Sequence, residues 1–209
     1  MRVLAIETAS EACSIALTEG AALLAHDHRV MARGHAEALV PMIGALPAKG
    51  RADRILVSLG PGSFTGVRIG LATARALGFA WGAEVLGYPT LALIAAQAQA
   101  LRPGEPVTVS MNGGHGEWFV QDFGADGLPA SELCSLPPTA AMAAGARNLI
   151  AGNRAEEFAA LLGDARQVIT LLPDAGQVGL VPDALLTTHL APTYGRGADA
   201  TPMALRKPA

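Results

Sequence analysis

Short apolar-rich segments separated by tight turns occupy the first thirty residues, and helical spacing of apolar residues follows them. Three short strands joined by tight turns predict an antiparallel meander, with the turn Glu19-Gly20 between the last two. Helix and strand patterns then alternate, in the order βββαβαβα. The predicted strands are 3–8, 13–18, 23–30, 54–59 and 84–88, and the predicted helices are 34–46, 67–81 and one from 91.

The second half of the chain predicts the same order of elements after the turn-rich segment Arg102–Pro106. We therefore expect two α/β lobes with a cleft between them, divided into residues 1–101 and 102–209. The repeat is one of topology and not of sequence. The predicted strands are 107–111, 118–123, 131–135, 148–151 and 168–172, and the predicted helices are 139–146, 154–162 and 177–189.

Composition narrows the classes of protein that fit. The chain of 209 residues is 51% hydrophobic and carries a net charge of −3, and no run gathers five basic residues. Direct nucleic-acid binding by this chain alone is therefore disfavoured. No apolar window is long enough to span a membrane, so the apolar surplus favours an oligomer or a subunit bound to a partner.

The first residues do not fit a secretory signal. Cys13 and Cys134 are expected to be buried thiols in a reducing cytoplasm.

A glycine-rich loop, GPGSFTGVRIG at 60–70, joins the predicted strand 54–59 to the long helix. Such a loop directs backbone N–H groups and a helix N-terminus at one point, which suits an anion. The loop does not match the glycine-containing motifs of other protein classes. A Walker A loop needs a lysine, and none lies between Lys49 and Lys207. The glycines have the spacing G-x-G-x-x-x-G, whereas a dinucleotide-binding loop needs G-x-G-x-x-G. Ser63 lacks the G-x-S-x-G context of a hydrolase nucleophile.

The helix after this loop carries small residues at every fourth position and is apolar almost all round. It therefore needs cover on two sides, one of them its own sheet. The preceding helix has an apolar stripe at helical spacing, so either both helices pack within one core or they contact a partner. The candidate contact residues are Leu39, Met42, Ile43, Leu46, Gly66, Val67, Gly70, Leu71, Ala74, Leu77 and Gly78.

The N-terminal run VLAIETASEACS at 3–14, Arg33-Gly34-His35 and the glycine-rich loop together resemble the TsaB family, also called YeaZ. The resemblance covers the chain, is most specific over about the first 95 residues and later includes Gly116-Glu117 and Pro192-Thr193-Tyr194. It implies two RNase-H-like lobes of the actin, Hsp70 and sugar-kinase (ASKHA) superfamily. This agrees with the order βββαβαβα that the pattern predicts in each half of the chain.

The resemblance implies a non-catalytic cytoplasmic subunit for N6-threonylcarbamoylation of adenosine 37 in tRNAs that read ANN codons. Its partners would be the catalytic paralogue TsaD and the ATPase TsaE, with a homodimer when it is alone and tRNA met only through the complex. The two helices would form a four-helix interface with TsaD or a second copy. A regulatory homodimer and a stand-alone superfamily enzyme, an M22-type glycopeptidase or a small-molecule kinase, are the alternatives.

No catalytic or metal site is predicted. TsaD-like proteins carry a His-x-x-x-His metal pair after the strand that follows the glycine-loop helix, and here that region, 87–93, reads GYPTLAL. His26 and His28 share one face of a predicted strand, where a surface metal is one interpretation and a solvated sheet edge the other.

The superfamily's phosphate-binding positions are altered in this chain. Glu7 stands where the family has Asp, and Asn112 and Gly114 replace the Asp and Arg of a typical second loop. No cofactor of its own is therefore expected, although a nucleotide shared at the TsaD interface stays an alternative. The vestigial nucleotide-binding residues would be Glu7, Thr8, Ser10, Gly60, Gly62 and Asn112.

Overall fold

The first lobe is a five-stranded mixed sheet with helices on both faces. The computed structural model describes residues 1–31, 33–163 and 165–195. The strands run in the order β3-β2-β1-β4-β5, with the meander antiparallel and β1, β4 and β5 parallel. The elements are β1 Arg2–Glu7, β2 Ala12–Glu19, β3 Ala22–Val30, α1 His35–Ala45, β4 Arg54–Ser58, α2 Phe64–Trp81, β5 Glu84–Tyr88 and α3 Thr90–Leu101.

The second lobe repeats this topology with shorter elements. Its sheet has the order β8-β7-β6-β9-β10, in which three antiparallel strands again precede two parallel additions. The predicted duplication of an RNase-H-like α/β lobe is therefore confirmed, while the division at residue 101 stays a prediction. The elements are β6 Val107–Gly114, β7 Glu117–Phe123, β8 Cys134–Leu136, α4 Pro138–Ala144, β9 Leu149–Ala151, α5 Ala155–Leu162 and β10 Gln167–Ile169.

The predicted helix 177–189 is wrong. The structure has 3₁₀ turns at Ala175–Leu180 and Asp183–Leu185, and His189 lies outside both. Gly179 lowers helix propensity, and Pro182 cannot donate the hydrogen bond that an α-helix interior needs. The segment instead returns to the first lobe, where Gly87 and Thr187 exchange backbone hydrogen bonds of 2.8 and 3.0 Å.

Two smaller expectations also need correction. The predicted strand 131–135 is shifted to Cys134–Leu136, because residues 124–130 form a turn that ends with the Ala130 amide donating to the Asp122 carbonyl. Cys134 is consequently exposed and not buried, whereas Cys13, near the start of strand β2, is buried as expected.

Helix α3 lies between the two sheets, and this position explains its apolar sequence. Eight of its twelve residues are buried. Its core includes Ala5 and Tyr88 from the first sheet and Val109 and Phe119 from the second. Helices α1 and α2 cover the side of the first sheet that faces away from α3, and α4 and α5 cover the corresponding side of the second sheet. Within the described residues, no helix combines the length and apolar content needed to cross a bilayer.

Candidate functional site

A cleft of about 710 Å³ lies between the two lobes. The first turns of α1 and α2 both form part of its wall, so two helix N-termini border the same space. Its charged groups are mixed, since Glu11 and Glu37 lie in the wall along with Arg33. The lining residues are 9–11, 33–37, 62–66 and 69 of the first lobe and 111–115 of the second.

A chain of two hydrogen bonds, one of them between the lobes, lies beside this cleft. The Asn153 amide nitrogen donates to Glu11 Oε1 over 2.8 Å, and the Asn112 backbone N–H donates to Asn153 Oδ1 over 2.9 Å. Asn112, a predicted nucleotide-binding residue, therefore lies at the cleft, but its side chain accepts a hydrogen bond from the Gly114 amide in a local turn. These contacts hold the second-lobe wall against the first.

The glycine-rich loop packs against the loop that follows β1. The Ser63 amide donates to the Ala9 carbonyl over 2.7 Å, and the Gly66 amide donates to Ser63 Oγ over 3.2 Å. A Cβ on Gly62 or Gly66 would collide with the backbone carbonyls of Ala9 or Thr8. These two glycines thus serve the close approach of two backbone segments, and two of the amides expected for a phosphate are used within the chain.

A buried polar group lies beneath the cleft at the ends of three parallel strands. Glu7 is completely buried; its carboxylate accepts hydrogen bonds from the Ala9 amide over 2.7 Å and from the Tyr88 hydroxyl over 3.2 Å. Burial raises the pKa of Glu7 from 4.5 to about 7, and the hydrogen bonds from Ala9 and Tyr88 oppose that rise. Sequence analysis missed Tyr88, although the parallel register of β1, β4 and β5 brings their ends together.

The six predicted nucleotide positions separate into two groups. Ser10, Gly62 and Asn112 line the cleft, whereas Glu7, Thr8 and Gly60 are buried and do not form part of its wall. The Thr8 hydroxyl donates to the Gly66 carbonyl over 2.8 Å, which joins the first loop to helix α2. Thr8 therefore has a structural contact of its own, and nucleotide binding at these positions stays a prediction.

The predicted docking residues lie mostly inside the first lobe. Helices α1 and α2 turn them toward the sheet, where Leu39, Leu71 and Ala74 are at most 2% exposed. A Cβ on Gly70 would meet Thr8 and Val57, and one on Gly78 would collide with Val85. The four-residue spacing of the glycines thus reflects contact with the chain's own sheet. The remaining predicted members Met42, Ile43, Leu46, Gly66 and Val67 are also buried, and Leu77 is half-buried.

The opposite side of the same two helices is exposed and apolar. Phe79 is 94% exposed and Val40 is 59% exposed, and exposed apolar side chains that form a contiguous surface mark an interaction site. On α2 the small exposed residues Ala72, Ala76 and Ala80 recur at four-residue spacing, which allows close approach by another helix. We call this surface the outer face; its exposed residues are Ala36, Val40, Gly44, Ala72, Ala76, Phe79 and Ala80. In the sequence, the outer face could have been recognised from the four-residue spacing of Ala72, Ala76 and Ala80.

Aromatic and basic side chains of α2 lie beside the outer face. The Arg68 guanidinium stacks over the Phe64 ring, with its central carbon 3.1 Å from the ring centroid, and donates to the Tyr194 hydroxyl over 2.7 Å. Arg75 donates to the Leu190 carbonyl over 2.7 Å. Both arginines of α2 therefore hold the returning segment 186–195 against the first lobe.

The comparisons with known proteins point to one process. Residues 28–128 match the family model described as TsaD, tRNA N6-adenosine threonylcarbamoyltransferase, and this range contains α1 and α2. The chain is 35% identical over 133 residues to the tRNA threonylcarbamoyladenosine biosynthesis protein TsaB of Escherichia coli, with 60% of this chain and 56% of that protein covered. It is 32% identical over 117 residues to the protein of the same name from Haemophilus influenzae, with 54% and 49% covered.

The chain spans about half the length of these curated relatives, but it matches a solved structure over nearly all of its length. That structure, from Pseudomonas aeruginosa, is described as an uncharacterized protein with similarity to peptidase YeaZ. The match has a TM-score of 0.78 and 27% identity, and it covers 93% of this chain and 99% of the solved one. Both lobes therefore have counterparts in a single solved protein.

Proposed function

Because the chain belongs to the TsaB (YeaZ) family, we propose that it is an accessory subunit for N6-threonylcarbamoylation of adenosine 37 in tRNAs that read ANN codons. The observation that carries the proposal is the outer face, an exposed apolar surface on which Phe79 is 94% and Val40 59% exposed. Full burial of one such side chain contributes about 1.5–3 kcal/mol. An accessory subunit uses a surface of this kind to bind the protein that performs the reaction.

A TsaD-like protein is the proposed partner. The TsaD family model matches the part of this chain that contains α1 and α2, so the partner would carry a corresponding pair of helices. Two similar helix pairs fit together about an approximate twofold axis, with each ridge of small residues against the other. The same surface would pair two copies of this chain when the partner is absent.

The proposed role is supportive and not catalytic. The Glu7 carboxyl has a pKa near neutrality, as a general base requires, but it is completely buried and does not line the cleft. Residues 87–93 contain no histidine, unlike the metal-binding region of TsaD-like proteins. A stand-alone glycopeptidase or small-molecule kinase is therefore not favoured.

In this proposal, the other components of the modification reaction bind to the complex of this chain with its TsaD-like partner. We expect TsaE to join the complex in the cytoplasm, and we expect tRNA to contact the complex instead of this chain alone, which has a net charge of −3. The chain binds no nucleotide of its own in this proposal, since the amides of Ser63 and Gly66 are used internally. Titration with ATP should give no heat with the isolated chain; any nucleotide would bind only in the complex.

Reconstitution tests this function. Cognate TsaD, TsaE, the threonylcarbamoyl-adenylate donor and substrate tRNA would be combined with and without this chain, and modified adenosine would be measured by mass spectrometry. The modified nucleoside should form only when the chain is present, and the chain alone should produce none. Full modification without the chain would contradict an accessory role, and peptide or ATP turnover by the chain alone would favour an enzyme.

A further inference from the structure

We propose that His26, His28 and Asp174 form a binding site for one divalent transition-metal ion, with Zn²⁺ as the best fit. His26 Nε2 lies 2.6 Å and His28 Nδ1 lies 3.9 Å from Asp174 Oδ1. The three ligand atoms all lie within 4.8 Å of one another. The site is separate from the cleft and the outer face, and the proposal does not depend on the proposed function.

The fold brings these three residues together from distant parts of the chain. His26 and His28 are two residues apart on β3, so strand alternation places both imidazoles on one face of the sheet. Asp174 precedes the 3₁₀ turn Ala175–Leu180 in the segment that returns from the second lobe. The sequence showed two histidines on one strand face, and the third ligand becomes visible only in the structure.

The carboxylate is held in place before any ion binds. Asp174 Oδ1 accepts hydrogen bonds from the Gly176 amide over 2.8 Å and from the Ser14 hydroxyl over 3.2 Å. The Asp174 backbone amide donates to Gln97 Oε1 over 3.0 Å. Such contacts around a metal ligand fix its orientation and reduce the entropy that is lost on binding.

One imidazole nitrogen in the cluster lacks a hydrogen-bond partner. Nδ1 of His28 is shielded from solvent, and no group in the described part of the chain forms a hydrogen bond with it. A buried polar atom without a partner is costly, and most such atoms in native proteins are satisfied. A metal bond to Nδ1 would satisfy this atom, whereas the hydrogen bond between His26 and Asp174 leaves it unpaired.

The ligand set selects the class of ion. Two imidazoles and one carboxylate suit Zn²⁺ and its transition-metal neighbours, whereas Mg²⁺ and Ca²⁺ prefer oxygen ligands throughout. Zn²⁺ binds such ligands at about 2.0–2.2 Å, which places tetrahedral ligand atoms roughly 3.3 Å apart. The 2.6 and 3.9 Å separations lie on either side of that value and no pair of ligand atoms is more than 4.8 Å apart, so the side chains adjust their positions when the ion binds. Any proton on a ligating nitrogen leaves to solvent when the metal bond forms.

The test is calorimetric titration of the chelator-treated full chain with ZnCl₂, with CoCl₂ as a spectroscopic probe. Wild type should bind one ion per chain and show a higher melting temperature with zinc. His28→Gln and Asp174→Asn preserve side-chain size and should each weaken binding at least about tenfold. Control variants His189→Gln and Cys134→Ser, which change an exposed histidine or thiol elsewhere, should bind as wild type does.

Two results would overturn the site. Wild type that binds neither Zn²⁺ nor Co²⁺ would show that the cluster is only a hydrogen-bonded histidine–aspartate group. Zinc binding that survives in both His28→Gln and Asp174→Asn would place the ion elsewhere. Circular dichroism of each apo variant establishes that it is folded, and His26→Gln provides a third ligand substitution should either of the first two unfold.

Discussion

The hydroxyl of Tyr88 donates a hydrogen bond to the completely buried carboxylate of Glu7 over 3.2 Å. The two residues stand 81 positions apart in sequence, at the ends of β1 and β5. The same hydroxyl also lies 3.1 Å from the Ile6 carbonyl oxygen. Burial raises the pKa of both groups, Tyr88 well above 10 and Glu7 to about 7. The centre of the first lobe therefore contains an acid that titrates near neutrality.

This carboxyl makes stability depend on pH. Between pH 4.5 and about 7 the folded chain keeps the Glu7 proton while the unfolded chain releases it, so stability falls as pH rises through this window. The full loss is about 3 kcal/mol. Glu7→Gln cannot ionise and should be more stable than wild type at pH 8 but not at pH 4.5, as measured by urea unfolding. Other carboxyls titrate equally in both proteins, so an unchanged difference at the two pH values would contradict the raised pKa.

The glycines of the loop and of α1 should respond oppositely to alanine. Gly66→Ala places a Cβ against the Thr8 carbonyl and should destabilise the chain by about 1–3 kcal/mol. Gly44→Ala is its matched control, because no atom lies within 4 Å of the added Cβ and alanine favours the helix by up to about 1 kcal/mol. Thermal unfolding of both variants would measure this. Equal effects would show that the loop is not closely packed.

The two cysteines should differ in reactivity. Burial raises the pKa of the Cys13 thiol to about 11, so little thiolate forms at neutral pH, whereas Cys134 is exposed. A maleimide should label one thiol in the native chain and two in denaturant, with Cys134→Ser abolishing the native label. Rapid native labelling of Cys13 would indicate that the first sheet opens readily.

The sequence pattern was sufficient for the topology, because strand alternation and helical spacing are local properties. It failed at 177–189, where Leu and Val at helical spacing outweighed Gly179 and Pro182 in the prediction. The sequence pattern also assigned the small residues at every fourth position of α2, among them Gly70 and Gly78, to contact with a possible partner. Spacing alone cannot tell which side of an all-round apolar helix faces its own sheet, and only the contacts of Gly70 and Gly78 decide this.

The candidate site was predicted less completely than the fold. Of the six predicted nucleotide-binding residues, Ser10, Gly62 and Asn112 line the cleft, and nucleotide binding there stays a prediction. The pairing of Glu7 with Tyr88 and of Asp174 with two histidines depends on contacts between residues that are far apart in sequence. Such contacts follow from strand register and from the returning segment, neither of which leaves a local pattern.

Binding of the cognate TsaD to variants of the outer face tests the central claim most directly. Phe79→Asp adds a charge at a 94% exposed position of this face without touching the core, and Leu161→Asp adds one at an exposed position of α5 in the second lobe. Calorimetry should show affinity reduced at least about 30-fold for Phe79→Asp, the equivalent of 2 kcal/mol, and unchanged for Leu161→Asp. Equal affinity of Phe79→Asp and wild type would contradict docking through α1 and α2.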